Sequence, residues 1–465
     1  MVSEIERKFL LSTGAVDFLE RGGIKFEKSE ICEVFSKIAT KSDTFYRHVK
    51  FERSNLSGSV QDVNKEKFEK IVSTQFSQYA LSVSRDEFET AQKSTALASV
   101  GFFKYDFLFN NLPCNICEFL GELSNLKTLT ISFMRVGDAL AFEMPEFLAP
   151  FILREITDEA HKFDLKSLCL FGDGDFKFDF AKAQSRAKIS RSYSLYARGF
   201  LGAYDAARVV LYGLFCEIET ARGKFLTTRD EDALISLELL FRTSAQVAKV
   251  CAGAFDVQTI ESFMRFFIFE TGKLAALNAK NFLCTYLAEG GGYMQRNRQI
   301  LEDEIMLTLS GESFSKMLKD YEFALTEKDG FYCGESGKKD VRVLLAKEFR
   351  LCSLRALKAM ENLKKDKSAL SKCEEFLAIM RYFGSLFAPR ASAKIEKNLV
   401  KLVSNLKDLE KYKMLDGAGG GANEKRNLGI NPEKSLSKAV SRAQKIAPKI
   451  HEFSRVLKIY YQKEN

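Results

Sequence analysis

The chain has 465 residues, 46% of them hydrophobic and 28% charged, with a formal net charge of +8. That composition reads as globular, and the length as about two or three domains. No stretch approaches about 18 uncharged apolar residues, which excludes a helical membrane span, and acids by the fourth residue argue against a secretory signal.

Ten cysteines are scattered along the chain. They read as reduced thiols of a cytoplasmic protein. Cys114 and Cys117 form one CxxC (CNIC), but His48, His161 and His451 offer no complement for a zinc site, so two packed thiols are expected. Charge is uneven: residues 1–180 carry 22 Lys and Arg against 28 Asp and Glu, a net of −6, and the remainder carries +14. An acidic first part joined to a basic second part suggests two units with different tasks.

The opening MVSEIERKFLL predicts a strand with Glu4, Glu6 and Lys8 on one face and Ile5, Arg7 and Phe9 on the other. VDFLERGG predicts a short helix ending at glycine. Strands follow in KEKFEK, ALSVSRDEFETA, NICEFLGELSN and LKTLTISFM, parted by turn-like SNLSGS, NNLPCN and RVGD. In SRDEFET the alternation again places Arg85, Glu87 and Glu89 on one strand face. A second helix is expected over 158–170, and FGDGDFKFDFAKAQSRAKIS reads as a linker.

Beyond it the period becomes helical. AYDAARVVLYGLFCEIETA, DEDALISLELLFRTSAQVAKVCAGAF, TIESFMRFFIFETGKLAALNAKNFLCTYLAE, VRVLLAKEFRLCSLRALKAMENLKK and ALSKCEEFLAIMRYFGSLF predict long amphipathic helices in antiparallel bundles. LDGAGGGANEKRN reads as a flexible loop, and the last helix carries a stripe of Lys434, Lys438, Arg442, Lys445 and Lys449. An ordinary solvated face and a phosphate-binding face both fit that stripe. No RNA-binding motif is present and aromatics are not interleaved with Lys and Arg, which argues against nucleic acid.

Strands with charges on alternate positions favour a barrel or a cupped sheet with a polar interior. Inward carboxylates suit a divalent cation, and inward Lys and Arg suit phosphates. Together they point to a triphosphate or polyphosphate ligand. A solvent-facing strand with cross-strand ion pairs has the same spacing.

EIERKFLL resembles the ExExK signature of the CYTH, or triphosphate tunnel metalloenzyme, family. SRDEFE is similar to that family's SREEIE, FFKYDF to KxRYxF, EFLGELSNLKTLTISF to its FxGxLxGLxxxEVEF strand pair, and REITDEAHKFDLKSL to its closing segment. These cover about residues 1–175 in the family's order. Residues 190–465 resemble a CHAD domain, DEDALISLELLFRTSAQVAKV and ALSKCEEFLAIMRYFGSLF matching its two repeated helices.

The resemblance implies an α+β chain: an eight-stranded antiparallel barrel over 1–178, then an all-α domain of two four-helix bundles over 190–465. It implies metal-dependent hydrolysis of inorganic triphosphate or a related triphosphate, using Mg²⁺ or Mn²⁺. Glu4, Glu6 and Glu155 would hold metal; Lys8, Arg47, Lys70, Arg85 and Lys104 would contact phosphate; Glu87, Glu89 and Lys70 would be catalytic. Arg242, Lys249 and Arg381 would bind polyphosphate on the helical domain.

The departures are specific. Thr130, Ile131, Ser132 and Phe133 stand where the family has EVEF, Cys117 stands for an acid, and Phe102 for a lysine. The second base of an RxR strand falls on Val49, or on Lys50 with a shift. In the helical part Ile235 and Ser371 replace histidines, and Glu238 and Glu374 replace arginines. The alternative reading is therefore a catalytically impaired protein that binds or docks polyphosphate.

Overall fold

A computed structural model describes residues 5–21, 24–37, 42–54, 61–74, 77–94, 99–195, 199–287, 291–327 and 332–460. The fold is α+β and divides into two compact units. One runs to Lys177 and also takes in Phe200; the other runs from Phe178 and from Leu201 through the last helix.

The first unit contains β1 (Ile5–Leu11), α1 (Ala15–Arg21), β2 (Phe26–Lys37), β3 (Ser42–Ser54), β4 (Gln61–Thr74), β5 (Gln78–Ser82), α2 (Arg85–Ser94), β6 (Ser99–Phe109), β7 (Leu112–Phe119), β8 (Lys127–Phe133), α3 (Val136–Ala141), β9 (Ile152–Glu155) and α4 (Leu165–Phe171). The nine strands form one antiparallel sheet in the order β5-β4-β3-β2-β6-β7-β8-β1-β9. The resemblance implies eight strands closing into a barrel. The described strands number nine and leave the short β5 and β9 as edges.

Strict alternation gives the sheet two unlike faces. Phe9, Tyr105, Phe107, Ile116, Leu129 and Ile131 point to one face, where Ala15, Val16 and Leu19 of α1 and Ala139 of α3 complete a buried core. The other face carries Glu6, Lys8, Thr130, Ser132, Asn115, Cys117, Lys104 and Asp106 in its middle.

Two predicted segments change type. SRDEFET is not a strand: β5 ends at Ser82, and α2 begins at Arg85. Ser84 caps it, its hydroxyl accepting from the Glu87 amide at 3.2 Å, and Phe88 and Ala91 are buried three residues apart. The S-x-x-E spacing is a helix start signal that outweighs the alternating charges. The helix expected over 158–170 is a 3₁₀ turn over Thr157–Lys162 followed by α4, which begins where Asp164 accepts from the Ser167 amide. Lys166 of α4 reaches Asp43 of β3 at 3.0 Å. SNLSGS lies almost entirely outside the described residues.

The second unit is helical: α5 (Phe180–Ile189), α6 (Ala203–Thr228), α7 (Glu231–Cys251), α8 (Val257–Tyr286), α9 (Gly291–Ser310), α10 (Glu312–Thr326), α11 (Val341–Glu361), α12 (Ala369–Phe387), α13 (Pro389–Gly417), α14 (Ala422–Asn427) and α15 (Pro432–Tyr460). Helices α6 to α10 pack in succession, α10 returning to α6; α11, α12, α13 and α15 each pack on two of the others. The expected linker contains α5, started by Asp179 and buried through Ala183 and Ala187. The expected glycine loop is shorter than its composition suggests, because α13 continues to Gly417 and α14 starts at Ala422. No described helix is long and apolar enough to cross a membrane.

Candidate functional site

The opening strand presents its charges as its alternation dictates. Lys8 lies 3.1 Å from Glu6, on the face away from Phe9. Glu4 lies outside the described residues. Across the β1–β8 ladder, Glu6 faces Ser132 and Lys8 faces Thr130. The two positions where the resemblance calls for carboxylates are thus the direct cross-strand neighbours of Glu6 and Lys8, and here they are hydroxyls. One strand further, Asn115 faces Thr130 and Cys117 faces Thr128. Then Lys104 faces Cys117 and Asp106 faces Asn115.

Cys117 marks the centre of this patch. Burial pushes its thiol up to about 12, Lys104 and Lys8 pull it down, and Asp106 and Glu33 push it up. A neutral thiol, an amide and hydroxyls therefore separate two lysines. The other CxxC member, Cys114, points into the core, and burial raises its thiol to about 11. Residues three apart on a strand face opposite ways, so this CxxC is not one site.

Three more cations of this face are paired with acids of the same face. Lys104 lies 2.8 Å from Asp106, Lys67 lies 2.6 Å from Glu69, and Arg47 lies 2.6 Å from Glu33. Glu33 is buried, and burial raises its carboxyl while Arg47 opposes the rise. Lys67, Glu69, Glu33 and Asp106 were missed as site residues, although K-x-E at 67–69 and K-x-D at 104–106 repeat the E-x-K of the start.

Five predicted site residues fall elsewhere. Lys70 pairs across β4 with Tyr46, its ammonium 5.6 Å from that ring, and so points away from Arg47 and Glu69. Arg85 is on α2, 3.1 Å from Glu66 and 5.7 Å from the Phe68 ring. Glu87 and Glu89 share that helix, with Glu87 accepting from the Tyr46 hydroxyl at 3.4 Å and Glu89 4.0 Å from Arg85. Glu155 faces Phe9 across the β1–β9 ladder and is gripped by Arg7 at 2.7 and 3.0 Å. That hydrogen bond holds the Glu155 carboxyl below its ordinary value. The structure puts Glu6, Lys8, Arg47 and Lys104 on one face of the sheet and Lys70, Arg85, Glu87, Glu89 and Glu155 on the opposite face. Val49 lies on the Arg47 face and Lys50 on the opposite one.

A divalent ion needs several oxygen ligands converging on one point. Among the described residues no three His, Cys, Asp or Glu side chains cluster closely enough to hold a metal. Glu6, Glu33, Glu69 and Asp106 of the polar face come from β1, β2, β4 and β6, each drawn to its own cation. The described donor set does not fit Mg²⁺ or Mn²⁺.

In the helical unit, Arg242 of α7 is held by Glu238 and, at 2.7 Å, by Glu374 of α12. Lys407 reaches Glu374 at 3.0 Å, and the Asn278 amide donates to Glu238 at 2.6 Å. Glu238 and Glu374, which replace arginines in the resemblance, thus neutralise Arg242. Arg381 donates to Glu396 at 3.2 Å, and Lys249 is exposed.

No family model matches the chain, and no curated protein matches it. Among solved structures it is similar to the inorganic triphosphatase NE1496, with 20% identity and a TM-score of 0.28 over 37% of this chain and 96% of that one. A second structure, of the hypothetical protein NE1496, gives 19% identity and a TM-score of 0.28 over 36% of this chain and 98% of that one. The CHAD domain from the plant Ricinus communis is similar with 10% identity and a TM-score of 0.42, over 56% of this chain and 96% of that one.

Proposed function

We propose that the first unit, over residues 1–178, binds inorganic triphosphate or a related polyphosphate chain on the polar face of its sheet and turns it over poorly. One observation carries this reading: Lys8 and Lys104 share a face across neutral Asn115, Cys117 and Thr130, with hydroxyls where the resemblance has carboxylates. Lysines and hydroxyls recognise phosphate oxygens as donors. The missing acids are the groups that would orient and deprotonate an attacking water. The helical unit, over 190–465, is proposed to dock longer polyphosphate, and the ten free cysteines suit a cytoplasmic protein.

Calorimetric titration of the full chain with sodium tripolyphosphate tests the binding. Lys8→Ala and Lys104→Ala are each expected to weaken it about tenfold, the loss of one charge-assisted contact. Unchanged affinity in both variants would remove the site. Hydrolysis supported by Mg²⁺ or Mn²⁺ is the second reading, favoured by the intact Glu6 and Lys8 of the ExExK start. Steady phosphate release from tripolyphosphate, abolished by Glu6→Gln, would establish it.

A further inference from the structure

Three ion pairs on the polar face join residues two apart on one strand: Glu6 with Lys8, Lys67 with Glu69, and Lys104 with Asp106. Among the acids, Glu33 and Glu69 are buried, but the side chains of Glu6 and Asp106 stay 38% and 47% exposed, and those of Lys8 and Lys104 26% and 33%. Glu6 and Asp106 can therefore swing into water and release their lysines without leaving a buried charge unpaired.

Those two lysines flank the neutral patch of Asn115, Cys117 and Thr130. We infer that Glu6 and Asp106 are resident counter-ions, which a phosphate chain displaces from Lys8 and Lys104, so that the face takes the chain free of metal. This rests on the phosphate-chain reading above. A metal site requires carboxylates that converge, whereas Glu6 and Asp106 stand on β1 and β6, with β7 and β8 between them and no acid on the intervening face positions. A phosphate chain complexed with a divalent ion has two fewer negative charges. It competes less well with carboxylates already seated on the lysines. The free chain is the stronger competitor, and Thr130 adds a hydroxyl donor.

The experiment is titration of the full chain with sodium tripolyphosphate, once in EDTA and once in excess Mg²⁺ or Mn²⁺, for wild type, Asp106→Asn and Glu6→Gln. Binding is expected in EDTA and weaker with the ion. Each substitution removes a competitor and is expected to tighten the EDTA affinity about threefold, the scale of a half-exposed ion pair. Binding that appears only with the ion, or that either substitution weakens, overturns the inference and returns these acids to a metal-ligand role. No binding by wild type in either buffer overturns the phosphate-chain reading itself. Should Asp106→Asn fail to fold, Glu6→Gln and the EDTA comparison decide alone.

Discussion

The two faces of the nine-stranded sheet carry the same residue types and put them to different use. On the Phe9 face a cation finds its partner on another element. Arg7 of β1 takes Glu155 of β9 and donates to the Phe142 carbonyl at 3.0 Å; Lys28 of β2 lies 3.5 Å from Glu20 of α1; Arg85 of α2 takes Glu66 of β4. Lys28 also sits 4.6 Å from the Phe103 ring. These pairs fasten covering pieces to the sheet. On the opposite face the pairs Glu6 with Lys8, Lys67 with Glu69 and Lys104 with Asp106 each lie within one strand, fasten nothing, and hold cations beside neutral donors. Charge on a sheet face is therefore a weak sign of a site. The stronger sign is a cation whose only described partner sits two residues away and is exposed.

The contrast breaks first under truncation. Leu129 is fully buried in the core face, next in sequence to Thr130. Leu129→Ala is expected to destabilise the first unit by about 2–5 kcal/mol, measured by urea unfolding. Lys8→Ala on the other face is expected to change stability by less than about 1 kcal/mol. A loss for Lys8→Ala equal to that for Leu129→Ala would make the polar face structural. The helical unit gives the intermediate case, because Glu374 is only 6% exposed. Arg242→Ala strips one partner from that carboxylate and is expected to lower helical-unit stability by about 1–3 kcal/mol, with tripolyphosphate affinity unchanged. A fall in affinity without a fall in stability would restore Arg242 to a phosphate site.

His48 sharpens the comparison through pH. It lies on the covered face, stacked on Phe68 at 4.5 Å and packed against Phe88 of α2. Burial lowers its value from 6.5, and Glu66, 3.8 Å away, only partly offsets this. The folded state binds the proton less well than the unfolded state, so stability is complete above 6.5 and falls as pH drops below it. Wild type is expected to lose stability relative to His48→Gln between pH 7 and 5 in urea titrations. A constant difference would show that α2 leaves His48 hydrated.

The sequence made parts of this plain and hid others for physical reasons. Period-two alternation located β1 and the Glu6 and Lys8 face, because a strand fixes side-chain parity locally. Arg47 and Lys104 were legible by resemblance alone. Lys70 failed by parity: the Lys67 face and the Lys70 face are opposite, and only the β3–β4 register, with Arg47 against Glu69, decides which one joins Arg47. Arg85, Glu87 and Glu89 failed because alternating charges also occur on a capped helix. Glu155 failed because its parity is set by pairing with Phe9, some 146 residues earlier in the chain. The helical periods stood out, whereas the pairing of Arg242 with Glu374 spans 132 residues and two helices.

The smallest effect falls on the pair that most directly separates the two faces. Arg7 and Glu155 are 25% and 40% exposed at their side chains, so solvent screens them, and Glu155→Gln is expected to destabilise the first unit by only a few tenths to about 1 kcal/mol. The sign with pH is fixed by the lowered carboxyl. Its ordinary value is 4.5 and the folded value lies below that, so the contribution is complete above 4.5 and drains away as pH falls through the folded value. The gap between wild type and Glu155→Gln is therefore expected at pH 7 and closes on acidification below 4.5. Tripolyphosphate affinity at pH 7, with or without Mg²⁺, is expected to be the same in both proteins. A metal ligand in that position would instead leave stability nearly untouched and weaken binding only when the ion is present.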